Sequence, residues 1–428
     1  MSGVKANRNR WLIALAAVSI HLSIGSIYAY SIYQIPLQET QGWSTSTVTL
    51  AFSIAVFVLG ITAAFLGKYV EKYGPRKAGL AAAVLYGLGM VGSGLSVQLG
   101  NLPLFLATFG VIGGMGIGIG YISPIGTLVE WFPDRRGMAT GLAVMGFGAG
   151  ALLTGPLGNF LIQEFSVAMA FYGLGALYFV LMTAGASYLA KPTEGWVPEG
   201  MQDVDNAEDE AKSALSGLRE FTAAEARTSP RFWMTWLIIF INVTAGIMLL
   251  AFASPMLQQI GGATATTAAF ITGYIGIFNG GGRIFWSSLS DYIGRTTVYA
   301  VFMLIQVVAF AVMPQVVGVW VLAGLMFLVI TCYGGGFACL PAYLSDLFGT
   351  KEVSAIHGYA LTAWGLAGVA GPQLASVVLE STGSYTNALY VVTGLLVAGF
   401  GAVLALRWRI GKLQGRDVAT TGAATAND

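Results

Sequence analysis

The stretch Gly67-Lys68-Tyr69-Val70-Glu71-Lys72-Tyr73-Gly74-Pro75-Arg76-Lys77 closes one long apolar run and opens the next. It recurs in outline at Ser287-Ser288-Leu289-Ser290-Asp291-Tyr292-Ile293-Gly294-Arg295, where the acid stands 220 positions later. Each copy carries an acid, a glycine three residues on, and a base beyond it. Two further pairs share an offset of 216: Glu130 with Asp346, and Gly155-Pro156 with Gly371-Pro372. An echo spread over such distances is a repeat of whole half-chains rather than of one hairpin. Between the motifs lie apolar stretches of roughly 20 residues, the length that crosses a bilayer. Counting from Trp11–Tyr33 to Asn387–Leu406 gives twelve of them, the eighth being Thr266–Ser287. The reading is an all-α membrane protein of 12 transmembrane helices in two pseudo-repeated six-helix bundles.

Composition agrees. Charged residues make up 10% of the 428 positions and hydrophobic residues 56%, with a mean hydropathy of +0.72. A soluble domain carries about 25% charge. A net charge of +1 offers no field for nucleic acid, and two histidines with two cysteines leave no room for a multi-ligand zinc site or a disulfide scaffold. Metal, cofactor and catalytic residues are therefore expected to be absent. The 58 glycines suit helices that approach closely.

The basic residues set an orientation. All 21 except Arg283 fall before the first stretch, after even-numbered stretches, or in the central loop. By the positive-inside rule both termini are cytoplasmic. The boundaries expected are a six-helix half at 1–190, a cytoplasmic linker at 191–230, a second half at 231–410 and a cytoplasmic tail at 411–428. The linker holds most of the acids, with a short helix around Asp209–Glu220. Ser229-Pro230 reads as an N-cap and first turn. The setting is an integral, multi-pass plasma (inner) membrane protein.

Arg283 stands inside the eighth stretch. A central arginine costs roughly 2.5–3.5 kcal/mol to insert and normally pairs with a carboxylate. Glu39, Glu164 and Glu380 belong to loops or helix ends, and Glu130 and Asp346 to the basic ends of the fourth and tenth stretches. No acid lies deep in any stretch. Either the partner arrives as a carboxylate substrate, held by two charge-assisted bonds, or helix carbonyls and water satisfy the guanidinium. The first is favoured, because Asn279 sits one turn away on the same face and Gly280, Gly281 and Gly282 open space. Tyr28, Tyr121, Tyr333 and Trp364 are aromatic candidates for the same pocket, with Tyr30 and Tyr33 beside them. His21 is the mid-membrane group that titrates near neutrality, and so a candidate for proton coupling. Its alternative is a neutral, hydrogen-bonded packing residue.

The first quoted stretch resembles the major facilitator superfamily loop motif G-x-x-x-D-R-x-G-R-R, with Glu71 for the acid and Lys72 for the arginine. That resemblance implies the major facilitator fold, with Gly67, Glu71, Gly74, Arg76, Asp291, Gly294 and Arg295 as conformational-switch residues. Phe278-Asn279-Gly280-Gly281-Gly282-Arg283, Ser229-Pro230-Arg231-Phe232-Trp233 and Tyr333-Gly334-Gly335 resemble the oxalate/formate antiporter family and the related monocarboxylate transporters. This second resemblance implies that Arg283 binds the substrate carboxylate, within a cage at Tyr28, Tyr121 and Tyr333. Two positions depart from the relatives: Trp364 stands where the oxalate carrier has a lysine, and Asn279 where animal monocarboxylate transporters have an aspartate. One cation without a second argues for a monoanion such as lactate, pyruvate or formate. The expected function is secondary transport of a small organic anion with a coupling proton or counter-anion, by a monomeric unit. A carboxylate exchanger and a carboxylate-sensing membrane protein are the alternatives.

Overall fold

The computed structural model describes residues 8–132, 136–193, 196, 198, 220–349 and 352–424. Side chains are described for these except 67–69, 71, 129, 136–144, 354 and 412–424. The Glu71 side chain and the linker helix expected around Asp209–Glu220 therefore lie outside the described residues.

The described chain is helical throughout. The first half contains α1 (Arg10–Gln41), α2 (Thr45–Tyr73), α3 (Pro75–Gln98), α4 (102–131), α5 (Arg136–Glu164) and α6 (Val167–Tyr188). The second contains α7 (Pro230–Gln259), α8 (Ala265–Ile293), α9 (Arg295–Val312), α10 (Val319–Phe348), α11 (353–382) and α12 (Tyr385–Ala424). Eleven helices among the described residues are long and apolar enough to cross a membrane. The twelfth expected span, α8, is not one of them, although it runs for 29 residues. Asn279, the three glycines and Arg283 dilute its apolar run.

The repeat holds at the level of backbone. α2 and α8 are both 29 residues long. Ser44 caps one by accepting from the Thr47 N–H, and Thr264 caps the other by accepting from the Thr267 N–H. Both end on a glycine at φ +84°, Gly74 and Gly294. That positive φ, with ψ extended, is open to glycine at little cost and strained for other residues. Ser229 caps α7 as expected, with Pro230 in the first turn.

The matched switch motifs differ in their side-chain contacts. Arg295 is ion-paired to Asp291 at 2.8 Å and to Asp346 at 3.1 Å, tying α8, α9 and α10 together. In the first half, Glu130 pairs instead with Lys191 at 3.7 Å, and Arg76 has no carboxylate partner among the described residues.

The two halves meet where α5 packs on α8, α2 on α11, and α1 on α7. Glycines set the closest crossing. A methyl group built on Gly276 would stand 2.3 Å from the Gly148 carbonyl oxygen, and one on Gly155 would stand 2.5 Å from that of Ala269. Gly371, the sequence match of Gly155, meets Thr244 of its own half instead. The described hydrogen bonds between the halves lie at mid-length or toward the end remote from the basic loops. Gln34 donates to the Ala251 carbonyl at 2.7 Å, and the Ser46 N–H donates to Glu380 Oε1 at 2.7 Å.

This crossing predicts a contrast between two glycines of α8. Gly276→Ala must push two backbones apart and should cost about 1–3 kcal/mol, read as a lower Tm of the purified protein. Gly281→Ala meets nothing within 4 Å and should leave Tm unchanged or slightly raised.

Candidate functional site

Arg283 is buried in α8, 9% exposed. Its Nε donates to Asn279 Oδ1 at 3.1 Å, the one-turn neighbour expected from the spacing. Its Cζ lies 5.5 Å from the centre of the Phe337 ring. The backbone of α10 passes so close that a methyl on Gly334 would stand 2.4 Å from the Asn279 carbonyl oxygen and 3.2 Å from Arg283 Cγ. A methyl on Gly282 would meet Thr331 at 2.5 Å. Glycines on both helices therefore hold the polar face of α8 against α10. Among the described residues no carboxylate pairs with Arg283, and its terminal nitrogens have no protein hydrogen bond.

The predicted aromatic residues meet in one place. Tyr28 contacts Phe147 at 4.9 Å between ring centres, Phe147 contacts Tyr121 at 5.4 Å, and Tyr121 contacts Trp364 at 5.8 Å. Trp364 contacts Phe337 at 5.2 Å, and Phe337 contacts Tyr333 at 5.2 Å. Tyr333 returns to Tyr28 at 6.2 Å, with the two hydroxyls 3.1 Å apart. The circuit is closed. Tyr28, Tyr121 and Phe147 come from the first half, and Tyr333, Phe337 and Trp364 from the second. Arg283 adjoins it through Phe337.

Local structure explains how Tyr28 reaches this ring. α1 tightens to a 3-10 helix over Gly25–Tyr33. A methyl on Gly25 would stand 2.0 Å from the Phe147 carbonyl oxygen, so α5 lies directly against this segment. Tyr30 and Tyr33 point elsewhere: Tyr30 donates to the Val48 carbonyl, and Tyr33 stacks on Phe171 at 4.5 Å. Both belong to the first-half core.

Sequence reading missed Phe147 and Phe337. A phenylalanine in an apolar helix carries no polar signal. The available hints were the glycines flanking Phe147 and the position of Phe337 one turn after Tyr333.

His21 is fully buried. Its Nε2 lies 2.9 Å from the Tyr121 carbonyl oxygen, so Nε2 carries the proton in this bond. Its ring stacks on Tyr121 at 5.6 Å and meets the edge of Phe147 at 6.4 Å. It backs two members of the aromatic circuit. Cys332 and Cys339 are buried and unpaired. No group of three or more metal-ligating side chains occurs among the described residues.

Comparison with known proteins places this architecture. The family model described as Major Facilitator Superfamily matches residues 13–372 and 235–425. The oxalate:formate antiporter of Oxalobacter formigenes is 26% identical over 90% of this chain and 88% of its own. Human monocarboxylate transporter 11 is 26% identical over 91% of this chain and 81% of its own. The inward-open structure of the xylose transporter of E. coli superposes with a TM-score of 0.71, covering 93% of this chain and 96% of that one, at 17% identity. The last likeness concerns the fold alone. With a family match across nearly its whole length, on repeated helical halves that meet at a shared ring, this chain belongs to the Major Facilitator Superfamily of membrane transporters.

Proposed function

We propose that this chain is a secondary transporter of a small monocarboxylate of the lactate, pyruvate or formate kind, coupled to a proton. The carrying observation is Arg283: a buried guanidinium with no carboxylate partner among the described residues, beside an aromatic ring built from both halves. A substrate carboxylate completes it by accepting from the two terminal nitrogens. Tyr28, Tyr121, Tyr333 and Trp364 enclose the substrate, and Asn279 orients the guanidinium. Likeness to an oxalate:formate antiporter and to a monocarboxylate transporter supports a carboxylate.

In this reading α8 is the twelfth span, and both termini, the linker 191–230 and the tail 411–428 are cytoplasmic. Halves 1–190 and 231–410 rock about the site, the arrangement of transporters built from parallel repeats. The cross-half hydrogen bonds at the end remote from the basic loops support a state open toward the cytoplasm. Gly67, Glu71, Gly74 and Arg76, with Asp291, Gly294 and Arg295, switch between states at the basic end. The setting is the plasma (inner) membrane, and the functional unit is a monomer.

Charge balance limits the load. One guanidinium matches one carboxylate, and a proton carried on or with that carboxylate makes the transported pair neutral. His21 is the alternative proton carrier, with its Nε2 donating to the Tyr121 carbonyl. Exchange of one carboxylate for another is the second reading, favoured by the likeness to the oxalate:formate antiporter.

Three outcomes follow. Arg283→Gln keeps a donor of similar polarity without the charge. It should weaken binding of small monocarboxylates about 100-fold, since two charge-assisted bonds at about 1.5–3 kcal/mol each are lost or reduced. The check is the disappearance of substrate-induced thermal stabilisation of purified protein. In proteoliposomes lacking internal substrate, uptake should rise as external pH falls; an absolute requirement for internal carboxylate would establish exchange instead. His21→Gln, which retains an amide donor, should preserve pH-gradient-driven uptake. Loss of the drive with binding intact would make His21 the proton carrier.

A further inference from the structure

The residues Gly25–Tyr33 of α1 are wound as a 3-10 helix, and every one of them is buried. Such winding seldom runs beyond about three or four residues, and inside a longer helix it often marks a functional hinge. Three residues per turn sort the segment into three rows. Tyr28 and Ser31 share the row that meets the second half: the Tyr28 hydroxyl lies 3.1 Å from that of Tyr333, and Ser31 Oγ accepts from the Ser254 N–H at 3.2 Å. Tyr30 and Tyr33 share the row turned into the first-half core. Ser26 stands in the third row and meets α3.

Ser26 has one hydroxyl proton and gives it to the Ser23 carbonyl at 2.6 Å. Its oxygen is left as an acceptor, and the Tyr86 hydroxyl of α3 donates to it. Tyr86 is buried, and its ring stacks on Tyr178 of α6 at 5.9 Å. The Tyr178 hydroxyl bonds Thr154 of α5 at 2.6 Å and reaches Ser26 as well. Among the described residues Tyr86 makes no ring contact with the six aromatics of the circuit. It therefore grips the back of the segment whose front carries Tyr28.

The grip bears on where Tyr28 points. Ser26 and Tyr28 are two residues apart, which is about 240° around a 3-10 helix and about 200° around an α-helix. With Ser26 held in place, a relaxation to α winding turns Tyr28 by about 40°, out of line with Tyr333 and Phe147. A buried hydroxyl that bonds Ser26 in the 3-10 form opposes that relaxation.

We propose that Tyr86 is a positioning residue for the candidate site: its hydroxyl bond to Ser26 holds the 3-10 winding of α1 and so keeps Tyr28 in the aromatic circuit. Tyr86 acts through Ser26 and Tyr28 and does not touch the substrate. Its effect on binding rests on the carboxylate reading of that circuit.

The test uses purified full-length protein with lactate as the probe, affinity being read as the concentration that gives half-maximal thermal stabilisation. Tyr86→Phe keeps the ring and removes the donor. It should weaken lactate binding about five-fold, the hold of one neutral hydrogen bond. Ser26→Ala should do the same, and the two changes together should do no more than either alone. In a Tyr28→Ala protein nothing remains to be positioned, so adding Tyr86→Phe should change affinity by less than about two-fold. A comparable loss in that background overturns the proposal, as does wild-type affinity in Tyr86→Phe alone. A second arm needs no ligand: 3-fluorotyrosine in place of Tyr28 gives a fluorine resonance that Tyr86→Phe should shift or broaden. An unmoved line overturns the positioning role. A line that moves in a protein that lactate does not stabilise supports the positioning of Tyr28 and counts against the carboxylate reading instead.

Discussion

A guanidinium held inside a membrane protein without a counter-charge among the described residues is the constraint around which this structure is arranged. Burial makes such a charge expensive, and pairing normally offsets the expense. Here the surroundings offer a partial solution. Asn279 takes one N–H, the face of Phe337 takes part of the positive charge, and glycines on α8 and α10 hold the two backbones together around the group. The terminal nitrogens have no hydrogen bond among the described residues.

Arg295 shows what a structural arginine looks like in the same chain. It has carboxylates at 2.8 and 3.1 Å from two different helices and a hydroxyl from Ser290 at 2.7 Å. These bonds tie α8, α9 and α10 together at the basic end in this state. Arg283 lies on the same helix, is more buried, and has none of this. In the proposed reading, that difference is what leaves Arg283 for a ligand. The ring beside Arg283 draws three aromatics from each half, so an anion held there, as proposed, would touch both halves at once. On that proposal, neutralising the guanidinium would lower the cost of enclosing it.

Much of this was legible in the sequence because membrane insertion writes its rules in composition. Long apolar runs and the placement of basic residues are local signals, and Arg283 stood out as the one cation that violated them. The match of α2 to α8 was readable because a helix ending at positive φ needs glycine, and Gly74 and Gly294 sit at corresponding positions. What escaped depended on neighbours distant in sequence. The 3-10 segment Gly25–Tyr33 lies under the carbonyl of Phe147 from another helix, and the local pattern of α1 does not reveal that approach. Phe147 and Phe337 complete the ring but look like ordinary core. The eighth stretch counts as a span in the sequence, whereas α8 is not among the eleven described helices long and apolar enough to cross a membrane.

The central claim is that a substrate carboxylate is the missing partner of Arg283. The most direct measurement is a structure determined with a bromine-labelled short acid such as 2-bromopropionate, located by its anomalous signal. The account predicts a bromine peak inside the ring of Tyr28, Tyr121, Phe147, Tyr333, Phe337 and Trp364, with the carboxylate accepting from both terminal nitrogens of Arg283 at about 2.7–2.9 Å. An acid bound elsewhere, with those nitrogens bonded to helix carbonyls or water, would contradict it.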